Sequence, residues 1–78
     1  MVNDDELTTV GLGSWVRFRS GDLEEEYRIV SEEDADIMRR LMSEKSPIGQ
    51  ALLGHRVGDV VKVRAPGWNG TLTVLGVD

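Results

Sequence analysis

The run Ser46-Pro47-Ile48-Gly49-Gln50-Ala51-Leu52-Leu53-Gly54 writes both ends of a short helix, and a helix this short constrains everything around it. Ser46 can cap it, Pro47 suits the first helical position, and Gly54 can take the left-handed stop that other residues resist. Seven residues or so rise roughly 10 Å, too little to hold in water without packing on something else. Ile48, Ala51 and Leu52 recur at i, i+3 and i+4 and supply an apolar face. The spacing predicts a helix docked on a sheet and presenting its N-terminal loop, with Val57-Gly58-Asp59 turning the chain into strand.

The rest of the chain supplies that sheet. From Ser14 to Arg19 apolar and polar residues alternate, with Val16 and Phe18 on one face, Arg17 and Arg19 on the other, and Trp15 on the Arg17 side. Ser20-Gly21-Asp22 has turn chemistry, and Glu26 to Val30 alternates again through Tyr27 and Ile29, which predicts a hairpin. Ser31 to Asp36 is polar and acidic, a loop expected on the outside. Between Ala35 and Ser43 the pattern is ambiguous, since Ile37 with Leu41 and Met38 with Met42 fit helical spacing while Leu41-Met42-Ser43 could equally start a strand; a helical turn and then a short strand is the favoured reading. Val61, Val63 and Ala65 alternate with Val60, Lys62 and Arg64, and Leu72 and Val74 with Thr71 and Thr73. Between these two strands lies Pro66-Gly67-Trp68-Asn69-Gly70, whose Asn-Gly pair is a strong hairpin signal. The count is four or five strands around one principal helix, an α+β chain. Antiparallel hairpins are expected to predominate because the connections look too short for parallel crossovers.

Seventy-eight residues make one domain with an economical core. Residues 1 to about 9 carry too little apolar content to pack and are expected to be a mobile lead-in, with order beginning near Val10. With no cysteine and one histidine, His55, the chain has neither a thiolate metal site nor the makings of a zinc centre or triad, and no cofactor is expected. It shows no charged-then-apolar leader and no apolar run near membrane-spanning length, so a soluble, cytoplasmic chain is expected. A formal charge of −5 argues against direct nucleic-acid binding, which draws on clustered Lys and Arg. The carboxylates gather at Asp4-Asp5-Glu6, Glu24-Glu25-Glu26 and Glu32-Glu33-Asp34, while Arg39, Arg40, Lys45, Arg56, Lys62 and Arg64 make the middle basic. That asymmetry suits a partner with a mixed or acidic surface; the plainer reading is a solvated face.

Several short motifs occur in order: Gly13-Ser14-x-Val16, Tyr27-x-Ile29-Val30, Glu33-x-Ala35-Asp36, Ser46-Pro47-Ile48-Gly49-x-Ala51-Leu52-Leu53-Gly54, Val57-Gly58-Asp59-x-Val61-x-Val63, Pro66-Gly67 and Leu72-x-Val74-Leu75-x-Val77. Each is weak alone; together they resemble the C-terminal domain of Gre-type (GreA/GreB) transcript cleavage factors from about Val10 to the end. The resemblance implies an FKBP-like fold over residues 10–78, a bent antiparallel sheet of four to five strands packed on one short helix. It implies bacterial RNA polymerase as partner, gripped at the coiled-coil rim beside the secondary channel by the loop at Ser46-Pro47 and the adjoining helix start. In that family a separate N-terminal coiled coil enters the channel, and acidic residues at its tip help hold the catalytic magnesium. Here the residues before Val10 reach ~30 Å at most and show no heptads, so cleavage activity is not expected. Family members often carry an acidic or neutral polar residue before the Ser-Pro pair, whereas this chain has Lys45.

The candidate partner-binding residues are therefore Lys45, Ser46, Pro47, Ile48 and Gly49, with Arg39, Arg40 and Arg56 setting charge preference, in a monomeric, non-enzymatic protein that modulates transcription elongation. Ile48 is either a core knob or an exposed anchor, with the core favoured, and Gly49 leaves bare helix backbone for close approach by a strand or a partner helix. Asp4-Asp5-Glu6 makes a poor magnesium scaffold on a flexible tail, and Glu32-Glu33-Asp34-x-Asp36 lacks the glycine and distal glutamate of a calcium loop. His55, just past the helix, is expected near the helix's negative end. Two other readings compete: an adaptor for a different protein, and a prolyl isomerase, whose pocket would have to be lined by Trp15, Phe18, Tyr27 and Trp68.

Overall fold

Alternation along the chain becomes a five-stranded sheet in the computed structural model, which describes residues 9–78. The strands are β1 (Trp15–Ser20), β2 (Leu23–Val30), β3 (Leu41–Ser43), β4 (Val60–Ala65) and β5 (Trp68–Val77), in the order β3-β2-β1-β5-β4. β1 and β2 pair from Trp15↔Arg28 to Ser20↔Leu23, leaving Gly21-Asp22 as a two-residue turn with Gly21 at φ 60. Positive φ at the first turn residue alone matches the twist of a right-handed hairpin. β1 also pairs with β5, and between Arg17 and Phe18 the register slips so that Leu75 is left over, a bulge that bends the sheet.

The side chains of one sheet face form the core. Val16, Phe18, Ile29, Leu52, Val63, Leu72 and Val74 are essentially sealed from solvent, joined by Val10, Met42 and Val61. Helix α1 (Pro47–Leu52) lies on this face, with Leu52 buried and Ile48 and Ala51 packed against the cluster. Gly54, just past the helix, has φ 82, the left-handed stop the sequence calls for. Its N–H donates to Val10 O, and His55 O accepts from Val10 N–H, so the entry of the chain is tied to the end of the helix. The expectations for residues 1–8, including Asp4-Asp5-Glu6, lie outside the described residues.

Two features differ from the sequence reading. β2 and β3 are parallel, Arg28↔Leu41 to Val30↔Ser43. The crossover is made by two 3₁₀ turns, Glu32–Asp34 and Ile37–Arg39, which carry the chain back to the start of β2's C-terminal half without a full helix. The β4–β5 turn is also not at Asn-Gly: Ala65 pairs with Trp68 and Arg64 with Asn69, so Pro66-Gly67 makes the turn and Asn69 and Gly70 belong to β5. Pro66 and Gly67, with φ 78, are the pair a type II turn requires.

Gly49 is buried where α1 crosses the end of β3, and a Cβ built there would overlap the Ser43 carbonyl oxygen. Helix propensity alone favours Gly49→Ala by about 1 kcal/mol. The clash is with backbone, which cannot move aside cheaply, so the substitution is expected to lower stability by about 2 kcal/mol in urea unfolding. The exposed helix neighbour Gln50→Ala should leave the midpoint nearly unchanged.

Candidate functional site

The corner between β3 and α1 is built around one hydroxyl. Ser46 is in extended backbone conformation, and its Oγ accepts the Gly49 N–H at 3.0 Å while donating to Ser43 O at 2.7 Å. The Ser46 N–H also donates to Ser43 O at 3.0 Å, and Ser43 Oγ accepts from Lys45 N–H at 3.0 Å. One residue therefore caps the helix and ties it to the strand. Pro47 follows at the first helical position, where its missing N–H has no partner to lose.

Beside this corner lies an open groove of about 500 Å³. One wall is Pro47 and Ile48 of α1, with Met42 and Ser43 of β3. A second is Ile37 of the crossover, 58% exposed, and a third is Ala65 with Trp68, 39% exposed, from the β4–β5 hairpin. Trp68 reaches the groove because Gly70 has no side chain: a Cβ there would stand 2.6 Å from Trp68 Cζ2, so the indole rests in the space the glycine leaves. Asp36 is the carboxylate on the rim, and its Oδ1 is engaged by the Met38 N–H at 3.1 Å.

The crossover is held in place through the core. Phe18 stacks on Tyr27 with centroids 6.1 Å apart, and the Arg40 guanidinium sits 5.1 Å from the Tyr27 ring centre. Arg40 is left-handed, φ 63, a conformation supported by its N–H donating to Ile37 O and its carbonyl accepting from Arg28 N–H. Ile37 is thereby fixed over the groove.

Of the sequence-predicted residues, Lys45, Ser46, Pro47 and Ile48 come together at the corner. Ile48 is both core and groove wall, so the two alternatives for it coincide. Gly49 is closed over by the chain's own β3. Lys45 Nζ pairs with Glu32 Oε2 at 3.3 Å, an exposed contact. The three arginines do not converge on the groove. Arg40 is occupied with Tyr27, Arg39 lines a second depression of about 600 Å³ with Leu12 and Arg28, and Arg56 lies in the loop after α1, bridged to Thr9. His55 does meet the helix end, its N–H donating to Leu52 O, but its ring pairs with Asp59, Nδ1 to Oδ2 at 3.0 Å. The Arg56 N–H bonded to Asp59, with the His55 ring second, holds that carboxyl below its ordinary pKa. Sequence reasoning missed Ile37 as a groove wall and named Trp68 only as a liner of an isomerase pocket; the available signal was Trp68 two residues before a glycine in a strand, where the two share a face.

Residues 4–78 match the family model "Transcription elongation factor, GreA/GreB, C-term". The chain belongs to the GreA/GreB family. It is 46% identical over 67 residues to transcription elongation factor GreA of Thermotoga neapolitana, covering 83% of this chain and 43% of the relative. To GreA of Clostridium perfringens it is 40% identical over 81 residues, covering 99% of this chain and 51% of the relative. It thus spans about half the length of the curated relatives it matches. Among solved structures it is similar to the GreA factor homolog Gfh1 of Thermus thermophilus, with TM-score 0.78, 30% identity, and coverage of 99% of this chain and 53% of that one. A GreA/GreB structure from Nitrosomonas europaea gives TM-score 0.74 at 30% identity, covering 99% of this chain and 67% of that one. The GreA/GreB C-terminal fold is thus the curled, mixed sheet on a short helix described above. Among the described residues of this Gre-type domain no helix is long and apolar enough to cross a membrane.

The placement of Trp68 is directly testable. In a Trp15→Phe background, Gly70→Val should push the Trp68 ring out of the groove and shift its fluorescence to longer wavelength. The fold is expected to survive, since the displaced atoms belong to a side chain with room to swing.

Proposed function

We propose that this domain is the RNA-polymerase-binding module of a Gre-type transcription factor, docking at the coiled-coil rim of the secondary channel and modulating elongation without cleavage chemistry of its own. The observation that carries this is the Ser46–Pro47 corner standing at the edge of an apolar groove. A proline-fixed corner loses little conformational freedom on docking, and an open groove lined by aliphatic and indole carbon suits a side-chain knob from a partner helix. The groove does not read as a reaction centre. Its rim carboxylate, Asp36, is engaged by backbone, and Phe18 and Tyr27 are committed to the core stack and not to an aromatic pocket. Lys45 with Glu32 gives the corner a paired, nearly neutral charge.

Retention on immobilised RNA polymerase of the host bacterium tests the proposal. The parent chain should be retained, Ile37→Asp should weaken retention by about tenfold or more by placing an unpaired charge in the contact, and Pro47→Ala should weaken it less. Lys45→Glu, which sets two carboxylates side by side, should change the salt dependence. No retention of the parent, or equal retention of parent and Ile37→Asp, would sink the reading.

A further inference from the structure

The sheet face opposite the helix carries a charge pattern that docking at the groove leaves unused. Register places Arg17 and Arg19 of β1 on that face, and Lys62 and Arg64 of β4 beside Thr71 and Asn69 of β5. All four cations are exposed, and among the described residues none is in a salt bridge. α1 packs on the other face, and no described element covers this one. A chain of formal charge −5 thus concentrates four of its nine Lys and Arg residues on one open surface.

Their spacing is regular. Arg17 and Arg19 are two residues apart on one strand, as are Lys62 and Arg64 on another, so each pair repeats at about 6.8 Å. Val60, Thr73 and Arg19 share a row, which sets Lys62 one step beyond Arg19 along the strands and two strands across, with β5 between them. The cations therefore run diagonally over the sheet, bounded at the β2 side by Glu24 and Glu26, which pair with Arg19 and Arg17. Between the two pairs β5 contributes only uncharged hydroxyls and an amide, Thr71, Thr73 and Asn69.

We infer that this face binds an extended acidic segment of a protein partner, with carboxylates at alternate residues. An extended chain repeats its alternate side chains at the same spacing as each cation pair, and the β5 hydroxyls can donate to carboxylates or peptide carbonyls. Single-stranded nucleic acid fits less well. Its bases need aromatic platforms along the cationic track, but the one aromatic on this face, Trp15, is half-buried at the end of the track. The domain's net charge also opposes a long polyanion, whereas a short acidic stretch meets only the local field.

Fluorescence anisotropy with the full chain and a labelled decapeptide of alternating Glu and Thr tests this, beside a Gln-Thr decapeptide and a single-stranded RNA of similar length. The Glu peptide should bind and weaken with added salt, and Arg17→Glu with Lys62→Glu should reduce its affinity about tenfold. Arg19→Gln with Arg64→Gln should reduce it in the same direction. Circular dichroism melts of both variants check that these exposed changes leave the fold intact. Pro47→Ala should not alter peptide binding, which separates this surface from the groove whatever polymerase does. Equal binding of the Glu and Gln peptides, unchanged affinity in both variants, or tighter binding of the RNA would overturn the inference.

Discussion

The Ser46 hydroxyl, shared between the Ser43 carbonyl and the Gly49 N–H, is the contact on which the rest of this structure turns. Without it, a six-residue helix has one fewer capped N–H and no side-chain tether to the sheet. With it, the helix start, the end of β3 and the proline that follows become one rigid corner. Gly49 belongs to the same arrangement, because only a residue without a Cβ lets the helix approach β3 closely enough for that hydroxyl to reach both partners.

Rigidity at the corner matters because the groove is assembled from distant parts of the chain. Ile37 arrives on a 3₁₀ crossover pinned by the Phe18–Tyr27–Arg40 stack, and Trp68 arrives on a hairpin whose indole is seated over Gly70. Core packing thus sets the groove's shape directly: Phe18 is a core residue, yet its stack positions a groove wall. The two faces of the sheet differ, with an apolar groove on the helix side and an open diagonal of cations on the other.

Much of this was legible in the residues themselves. Two-residue alternation located β1, β4 and the second half of β2, and the Ser-Pro and Gly54 signals located the helix, because those patterns report directly on burial and on backbone φ. The parallel pairing of β3 was not legible: a three-residue strand with a single buried side chain, Met42, has no period, and its neighbour was decided by the crossover. β2 begins earlier than its alternation indicates because Glu24 and Glu26 sit on an open face opposite Arg19 and Arg17, where like charges along one strand are tolerated. Asn69-Gly70 lost the turn to Pro66-Gly67 because Trp68 needs the glycine beneath it. The corner was visible as a local motif, whereas the groove was not, since Ile37 and Trp68 meet Pro47 only in three dimensions. The same distance effect scattered Arg39, Arg40 and Arg56, which look clustered in sequence and are separated by the fold.

Amide hydrogen exchange at Gly49, compared between the parent and Ser46→Ala, tests the central claim most directly. Loss of the hydroxyl should speed exchange at that amide by about tenfold or more, in line with the loss of a helix cap, while amides of the β1–β5 ladder keep their protection. Unchanged protection of Gly49 in the variant would mean that the corner is held by something other than Ser46, and the account given for its rigidity would be wrong.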